Sequence, residues 1–288
     1  MKINKVLVTG SKGFVGRHLC KRLREIGIRV VTNSKEHHKL DVTNIDQILT
    51  IADVEAVIHL AAKTSILNSV KNPYETYHTN ILGTLNLLEF ARIRNIKKFI
   101  YVSTYVYGQP QYLPIDEIHI VKPHSPYNKS KLLAEELCEN YSHDFGINIV
   151  ILRPFYVYGP NSRYRSFIPS VIRQIMKNGK VVLSGENTKR DFLFVTDFVN
   201  LLQTILHQFP NGYNFYNVGY GKSYSLKEVA QSLAKLLDKK ITVQSSKTPV
   251  TDIPDMRADI TKVSKTFNWR PTIDIDKGLR LTVQDSFI

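Results

Sequence analysis

Cysteine is scarce in this sequence, and its scarcity excludes two kinds of stabilisation. The 288 residues contain 2 cysteines, Cys20 and Cys138, and both lie within helical patterns. Two thiols so placed form neither a disulfide framework nor the ligand spacing of a metal site, and so few suit a reducing compartment. We therefore expect no metal, and we assign both cysteines to packing.

Long hydrophobic runs are also missing. No apolar run approaches the roughly 18 residues that would suggest a membrane-spanning helix. The first residues, MKINKVLVTG, run straight into a strand pattern rather than a signal peptide. Because 43% of the residues are hydrophobic, the chain can still fill a core. We expect a soluble cytoplasmic protein without membrane insertion.

Acidic residues are outnumbered by basic ones. The chain has 39 lysines and arginines against 25 aspartates and glutamates, which gives a formal net charge of +14. Such a balance is typical of many nucleic-acid-binding proteins. Here the basic residues are scattered, with no basic tail, zinc-ligand spacing or interleaved aromatic platform. A solvated basic surface or attraction of an anionic small substrate explains the charge, and we expect no nucleic-acid partner.

What the sequence does contain is an alternation of strand and helix patterns. Apolar runs such as KVLVTG, VEAVIHLAA, KKFIYVST and NIVILRP alternate with helix-period segments such as FVGRHLCKRLREIG. Strands that are apolar on both faces and separated by helices predict an α/β fold with a doubly wound parallel sheet, the Rossmann class. Past about residue 155 the strands and helices become shorter. We predict one domain over residues 1–155, to which a segment at about 190–218 returns, and a smaller α/β substrate-binding part over 156–288.

The first strand runs into TGSKGFVG, which places Gly10, Gly13 and Gly16 at a strand-to-helix turn. Glycines there permit a tight turn, let the backbone approach a pyrophosphate and let the helix pack closely on the sheet. The spacing differs from the commoner Gly-x-Gly-x-x-Gly, and a structural turn is the alternative. Because the strand and helix stand where the fingerprint needs them, we predict a dinucleotide site that also includes Phe14 and Val15.

Two later strands end in residues that suit a ligand site. HLAAK ends one strand with Leu60, Ala61 and Ala62, and small residues there leave room for a cofactor lying across the sheet. FIYVSTYVYG ends the next with Ser103 and Thr104, at the sheet edge where open α/β sheets bind ligands. Packing under a helix and capping of a strand are the respective alternatives. We expect a substrate oxygen to be bound at the second strand end.

Tyr127 and Lys131 stand four residues apart in PYNKSK, where we predict the start of a helix. At that spacing the side chains lie one above the other, so the ammonium favours the ionised phenol. A phenol has a reference pKa of about 10, and a neighbouring positive charge would bring it toward the range of a working base. Alone the pair also fits a solvated helix face. The glycine turn and the strand-end hydroxyls favour an active site.

In this order, the motifs resemble the extended short-chain dehydrogenase/reductase family, within it the nucleotide-sugar epimerases, dehydratases and ketoreductases. The resemblance covers almost the whole chain and includes NILGTLNLLEFAR, LRPFYVYGP, RDFLFVTD, YNVGYGKSYSLKEVA and ADITKV. It implies an enzyme that binds NADP(H) or NAD(H) in its first domain and a nucleotide-diphosphate sugar in its second. It also implies a catalytic triad. Tyr127 would exchange a proton with the substrate, Lys131 would hold the nicotinamide ribose, and Ser103 would hydrogen-bond the reacting oxygen.

The resemblance implies further contacts. Additional cofactor contacts are expected at Asp41, Val42, Asn80, Tyr127, Lys131 and Pro154. Substrate contacts are expected at Thr64, Ser103, Thr104, Tyr105, Tyr156, Arg163, Arg190 and Arg257. Arg190 lies where the family uses an arginine on the substrate diphosphate, which a forked guanidinium suits; a surface ion pair with Asp191 is the alternative. Tyr156 departs from the family pattern, in which an asparagine usually contacts the substrate.

The residues after Ser103 bear on the type of reaction. Family dehydratases carry an Asp-Glu pair there, whereas this sequence has Thr104 and Tyr105. These cannot replace two carboxyl groups, so we expect no 4,6-dehydration. A ketoreductase consuming NADPH and a 4-epimerase recycling tightly held NAD remain, and a non-catalytic cofactor-sensing protein is an alternative of another class. Relatives pair through the helix of Tyr127 and the one at about 73–95, so we expect a homodimer.

The end of the second strand favours the ketoreductase. An NAD-preferring site places an acid there, which would repel a 2′-phosphate. Counting from Gly27 as in relatives gives Ser34, and with Asn33 and Lys35 it offers groups that bind a phosphate; an ordinary polar loop that binds NAD is the alternative. We therefore predict NADPH-dependent reduction of a 4-keto-6-deoxy nucleotide sugar for surface polysaccharide, of the dTDP-4-dehydro-6-deoxyglucose reductase type. An epimerase of the UDP-glucose 4-epimerase type is the alternative.

Overall fold

A computed structural model describes residues 3–32, 40–246 and 253–285. Its contacts divide the chain into two units. The first comprises Met1–Gly108, Ile120–Pro154 and Val199–Tyr216, and the second comprises Gln109–His119, Phe155–Phe198 and Asn217–Ile288. The segment that returns to the first unit is therefore 199–216. Residues 109–119, which the sequence analysis places in the first domain, belong to the second unit.

The first unit is built on a six-stranded sheet. Across the sheet, the strands are Arg29–Val31 (β2), Lys5–Thr9 (β1), Ala56–His59 (β3), Lys98–Val102 (β4), Asn148–Pro154 (β5) and Tyr213–Val218 (β9). The neighbouring pairs from β2 to β5 are all parallel. The interior residues of β1, β3, β4 and β5 are buried, as expected of strands that are covered on both faces. The predicted doubly wound α/β fold is confirmed.

Helices connect these strands. Their bounds are Phe14–Glu25 (α1), Ile45–Leu49 (α2), Ile66–Lys71 (α3), Pro73–Tyr77 (α4), Gly83–Ile93 (α5) and Pro126–Phe145 (α6), with a π-helical turn at His78–Leu82 between α4 and α5. In α6, Ser125 caps the N-terminus, Pro126 occupies the first turn, and Gly146 ends the helix in the left-handed conformation. Leu87, Phe90 and Ala134 pack with the sheet residues Phe99 and Ile149 in one hydrophobic core.

The second unit contains shorter elements around its own core. Its strands are Tyr156–Tyr158 (β6), Lys180–Leu183 (β7), Lys189–Phe194 (β8), Ser223–Ser225 (β10), Thr242–Ser245 (β11) and Asp255–Met256 (β12). Its helices are Phe167–Asn178 (α7), Leu226–Leu236 (α9), Thr261–Phe267 (α10) and Ile275–Asp285 (α11), and the chain passes from this unit to the first within Val195–His207 (α8). Strand β8 pairs with β6, β10 and β12, and β7 pairs with β11.

Both cysteines are buried and carry free thiols. In the part of the chain that the structure describes, no helix is long and apolar enough to cross a membrane. Histidine, cysteine and acidic side chains are not grouped there in threes that could hold a metal ion.

Candidate active site

The glycine turn lies between β1 and α1 and is packed too closely for side chains. Gly10 has a φ of +67°, and a Cβ there would lie 2.7 Å from the Ala61 nitrogen. A Cβ on Gly16 would lie 2.2 Å from the carbonyl oxygen of Gly10. The Gly13 N–H donates to that same oxygen at 2.8 Å. Gly10 and Gly16 are thus required by the turn itself, which leaves the start of α1 free of bulky side chains.

A cavity of about 660 Å³ opens beside this turn in the first unit. Its lining comes from the glycine turn, the residue after β2, the segment before α2, the residues after β3, and α4 with the π-helical turn. These residues are Thr9, Gly10, Ser11, Lys12, Thr32, Leu40, Asp41, Val42, Thr43, Ala61, Lys63, Glu75, His78 and Thr79. Of the predicted cofactor contacts, Gly10, Asp41, Val42 and Ala61 are therefore at the cavity. Asn33, Ser34 and Lys35 lie outside the described residues.

The other predicted cofactor residues that the structure describes lie in the first unit but are not part of the cavity lining. Phe14 and Val15 form the first turn of α1, Leu60 and Ala62 flank Ala61, and Pro154 is the last residue of β5. Asn80 is 1% exposed. Its side chain binds the backbone of Lys63 at 2.8 and 3.0 Å and the Ser130 hydroxyl at 2.8 Å. Its amide therefore ties the loop after β3 to α6.

A chain of buried polar groups runs beneath the cavity. The Thr84 hydroxyl donates to the Asn80 carbonyl, so the Nε2–H of His59 donates to Thr84 and its Nδ1 accepts from Thr9. Burial, followed by the positive charge of Lys131, lowers the pKa of His59 well below its ordinary value. We assign His59 to the neutral form, in which all its ring nitrogens are satisfied.

Ser103 and Thr104 directly follow β4, as predicted. Ser103 is 4% exposed, and its N–H donates to the Leu152 carbonyl at 2.8 Å. The loop beyond is fastened to α6, because the Asn128 side chain donates to the Tyr105 carbonyl at 2.7 Å. Tyr105 itself is 3% exposed, and its hydroxyl donates to the Gly108 carbonyl at 2.5 Å. Tyr105 is thus a buried anchor of this loop.

Tyr127 and Lys131 lie on one face of α6, with Tyr127 in its first turn. Tyr127 is half-buried, whereas Lys131 is 2% exposed. The Lys131 ammonium lies 4.0 Å from the centroid of the Tyr101 ring, a cation–π contact. Burial lowers the pKa of Lys131 to about 7, and the negative charge of Glu135 opposes that change.

Glu135 and Arg153 form a buried ion pair behind these residues, which the sequence reasoning missed. Their closest atoms, Arg153 Nη2 and Glu135 Oε2, are 2.6 Å apart. Glu135 also accepts the Ser103 hydroxyl, and Arg153 donates to the Tyr107 hydroxyl at 2.9 Å. The signal that could have found Glu135 is its spacing, because it stands four residues after Lys131 on the same helix face.

The other predicted substrate residues are placed as follows. Thr64 is half-buried just before α3 in the first unit. In the second unit, Tyr156 begins β6, and its hydroxyl accepts the Phe167 N–H at 3.1 Å. Burial raises the pKa of Tyr156, and the nearby Arg190 opposes that rise. Arg163 is exposed in the loop after β6.

Arg190 and Arg257 lie on adjacent strands or strand ends of the second unit. Arg190 pairs with Met256 in the register of β8 and β12, and its Nη1 donates to the Ile253 carbonyl at 2.8 Å. The buried Nε of Arg257 has no hydrogen-bond partner within the described chain. Asp191 instead directs its buried carboxylate to the N–H groups of Tyr220, Gly221 and Ala258.

The chain is similar to known proteins of one family. A sequence profile of the NAD dependent epimerase/dehydratase family matches residues 6–219. A UDP-glucuronate 4-epimerase of Thermodesulfobacterium geofontis is 32% identical over 306 residues, with 96% of this chain and 94% of the relative covered. A GDP-6-deoxy-D-mannose reductase of Pseudomonas aeruginosa is 32% identical over 298 residues, covering 98% and 96%. The structure of RMD from Pseudomonas aeruginosa complexed with NADPH superposes with a TM-score of 0.91 at 29% identity, covering 99% and 100%.

Proposed function

Because the chain belongs to the NAD-dependent epimerase/dehydratase family, we propose that it reduces a 4-keto-6-deoxy nucleotide sugar with NADPH. The family and its curated relatives make it an enzyme of the nucleotide-sugar epimerase, dehydratase and reductase group. The observation that carries the finer proposal is the cavity at the glycine turn, whose lining includes the turn itself and a lysine, Lys12, for an extra phosphate. The product would be a deoxyhexose donor for surface polysaccharide.

The residues present fit a nicotinamide dinucleotide. Gly10 and Gly16 keep the turn free of side chains, as the contacts of an added Cβ demonstrate, and α1 directs its first N–H groups toward that turn. When bound, the nicotinamide supplies or accepts the hydride of the reaction. Ala61 leaves room at the end of β3, and Lys131 on α6 would hold the ribose.

In the proposed reaction, Tyr127 moves the proton. The ketone oxygen gains a proton as its carbon is reduced, and the Tyr127 phenol is the donor in the first turn of α6. Lys131 stabilises the phenolate left behind because its ammonium lies one helical turn away on the same face. Ser103 binds the reacting oxygen at the carboxyl end of β4.

The cavity supports a preference for the phosphorylated cofactor. Lys12 and Thr32 both line it, the first in the glycine turn and the second at the end of β2. The exposed Lys63, also at the cavity, is paired with Glu75. Lys12 is not part of the ion pairs found among the described residues, so it can pair with a 2′-phosphate. Ser34 and Lys35 would add to this site.

The second unit supplies cations for a nucleotide diphosphate. Arg190 on β8 is in register with Met256 of β12, and Arg257 follows that strand. The Nε of Arg257, which has no hydrogen-bond partner among the described residues, is a donor suited to an anionic oxygen. Arg163 adds an exposed charge in the same unit. The relatives named for UDP-glucuronate and GDP-6-deoxy-D-mannose support a substrate of this class.

Epimerisation at C4 with a retained NAD is the second candidate, favoured by the similarity to the UDP-glucuronate 4-epimerase. Dehydration is disfavoured, because Tyr105 is buried against the Gly108 carbonyl and Thr104 is not a carboxylic acid. Purified protein that converted a nucleotide-activated glucose to its 4-keto-6-deoxy product would contradict this exclusion.

We also propose a homodimer formed through α3, α4 and α6. These helices pack together in the first unit. They expose large apolar side chains, of which Leu67 and Tyr74 are each 77% exposed and Val70 is 64% exposed. A second copy of the chain would cover such a surface.

The deciding experiment offers purified protein a panel of 4-keto-6-deoxy nucleotide sugars with NADPH or NADH. We expect oxidation of NADPH that depends on the sugar, from protein that loses any cofactor on dialysis. Bound NAD that survives dialysis, together with interconversion of 4-epimers without added cofactor, would replace the reductase by the epimerase. Absence of turnover in both assays would reject both reactions for these substrates.

A further inference from the structure

Glu135 lies between two residues of the proposed triad. It is 2% exposed in the middle of α6, and its Oε1 accepts the hydrogen of the Ser103 hydroxyl. Lys131 precedes it by one helical turn on the same face, so that carboxylate and ammonium are neighbours. A single buried carboxylate therefore interacts both with Ser103 at the end of β4 and with Lys131 on α6.

The Glu135 carboxylate is held in place from the opposite side. Arg153, 5% exposed on β5, donates its Nη2 to Oε2 at 2.6 Å and its Nε to both carboxylate oxygens at 3.1 and 3.2 Å. The rest of the guanidinium is fixed by the Tyr107 hydroxyl at 2.9 Å and by the face of the Phe215 ring, 4.7 Å away. Buried ion pairs are seldom more stabilising than apolar residues of similar volume. Stability alone therefore does not explain the pair.

Lys131 depends on this charge. The Tyr101 ring on β4 lies against its ammonium. His59 on β3 and Glu135 and Cys138 on α6 interact with it electrostatically, and Tyr127 lies one helical turn away on the same face of α6. Among them the Glu135 carboxylate is the negative group, and it opposes the effect of burial on the Lys131 pKa. Loss of that carboxylate would favour the neutral amine.

We propose that Glu135 is a positioning residue for both Ser103 and Lys131. Its carboxylate accepts the Ser103 hydroxyl hydrogen bond in the free protein and so fixes the position of the Ser103 oxygen, from which the hydroxyl can turn its hydrogen to a bound ketone oxygen. The same carboxylate is the negative charge beside the Lys131 ammonium and stabilises it. This role rests on the proposed function, because it assumes that Ser103 and Lys131 act in the reaction. Arg153 holds the Glu135 carboxylate in place, and it acts on Ser103 and Lys131 only through that carboxylate.

The first test measures the protonation of Lys131 directly and does not depend on enzyme activity. Protein labelled with ¹³C at the lysine Cε is titrated by NMR, and Lys131→Arg identifies the signal by its loss. We expect the wild-type midpoint near pH 7 and a midpoint at least about one unit lower in Glu135→Gln. Glu139→Gln, the same substitution at an exposed position one turn later on α6, should leave the midpoint unchanged. Equal midpoints in wild type and Glu135→Gln would overturn the role toward Lys131.

The second test reads the role toward Ser103. We expect Glu135→Gln to lower kcat by about tenfold or more with KM changed by less than about threefold. If the carboxylate acts through Ser103, adding Ser103→Ala should cost much less in Glu135→Gln than in wild type. Additive losses would overturn that role. A Tyr127→Phe variant that stays active would instead reject the proposed function, so the two failures are distinguishable.

Glu135→Gln leaves the Arg153 charge buried and can prevent folding. The double variant Glu135→Gln, Arg153→Gln removes both charges at nearly constant volume and is the fallback for both tests. We expect it to bind NADPH, to melt cooperatively and to retain the kcat loss and the lowered Lys131 midpoint. Wild-type kcat and midpoint in this folded double variant would overturn the proposal.

Discussion

At the residue scale, chemistry is concentrated on one face of α6. Tyr127, Lys131 and Glu135 follow one another at intervals of four residues, so a half-buried phenol, a buried ammonium and a buried carboxylate form a column. The Tyr101 ring lies against the ammonium at 4.0 Å. The Glu135 carboxylate opposes the effect of burial on the pKa of Lys131. Tyr127 is the most exposed residue of the column and is the one that we propose meets a substrate.

Tyr127→Phe tests the proton donor. We expect turnover to fall by about 10²- to 10⁴-fold, the usual contribution of an acid-base group, with NADPH affinity nearly unchanged. Steady-state rates and cofactor titration by fluorescence measure the two effects. Tyr141→Phe, which removes a hydroxyl from the same helix where it binds Glu89, is the control and should remain active. More than about a tenth of the wild-type rate in Tyr127→Phe would contradict the assignment.

Lys35 and Lys12 test the cofactor preference. We expect wild type to prefer NADPH over NADH by at least about tenfold in kcat/KM, roughly 1.4 kcal/mol. Lys35→Asp should reverse or abolish that preference, because a carboxylate repels the 2′-phosphate and accepts the ribose hydroxyls. Lys12→Ala should weaken the binding of NADPH more than the binding of NADH. Lys21→Asp, an equal charge change on the exposed face of α1, is the control, and equal use of both cofactors by wild type would count against the reductase.

At the element scale, the strand-turn-helix of β1 and α1 defines the cofactor site. The turn is closed by backbone contacts, and Gly16 allows the first turn of α1 to touch the Gly10 carbonyl. The buried side of the helix carries Leu19, Cys20 and Leu23, which fix it to the sheet. Turn and helix thus form one rigid element, whose shape leaves no room for a Cβ at Gly16.

Gly16→Ala tests this element. The added Cβ would lie 2.2 Å from the Gly10 oxygen and 2.8 Å from the Ser11 Cα, so the backbone must move. We expect a loss of about 1–3 kcal/mol in the free energy of unfolding and a large loss of NADPH affinity. Urea unfolding and cofactor titration measure them. Lys21→Ala, on the exposed side of α1, should change neither, and normal NADPH binding by Gly16→Ala would show that the turn is not the binding element.

At the scale of the whole molecule, the two units carry different chemistry. The first holds the glycine turn, the cavity and the proposed triad, and the second holds Arg190 and Arg257. The first unit also exposes Leu67, Val70 and Tyr74 on its short helices. In the single chain this apolar surface is exposed to solvent, and a second copy of the chain would cover it.

Sedimentation tests the dimer. We expect a species of about twice 33.0 kDa at micromolar concentration, because large apolar side chains at the centre of an interface supply most of its binding energy. Leu67→Glu with Tyr74→Glu should shift the protein to the monomer without lowering its melting temperature by more than a few degrees. Ile118→Glu changes an equally exposed apolar residue of the second unit and should stay dimeric. A wild-type protein found only at 33.0 kDa would exclude the dimer.

The local motifs were readable from the sequence alone. The glycine turn, the hydroxyls after β4 and the pair on α6 depend on spacing within a single element, and element geometry fixes which side chains share a face. The parallel sheet follows from uniformly apolar strands alternating with helices. The family resemblance, stated from these motifs, is confirmed by the match over residues 6–219.

Contacts between distant segments were decided by tertiary structure. The role of Glu135 became apparent only from its hydrogen-bond partners in the folded chain. These are Arg153, 18 residues later, and Ser103, 32 residues earlier. Asn80 and Tyr105 satisfy their polar groups within the protein, and residues 109–119 belong to the second unit. The physical reason is that a buried polar group needs a partner, and the sequence lists the groups without saying which will be close. Periodicity determines the face on which a side chain lies, and only packing determines what that face meets.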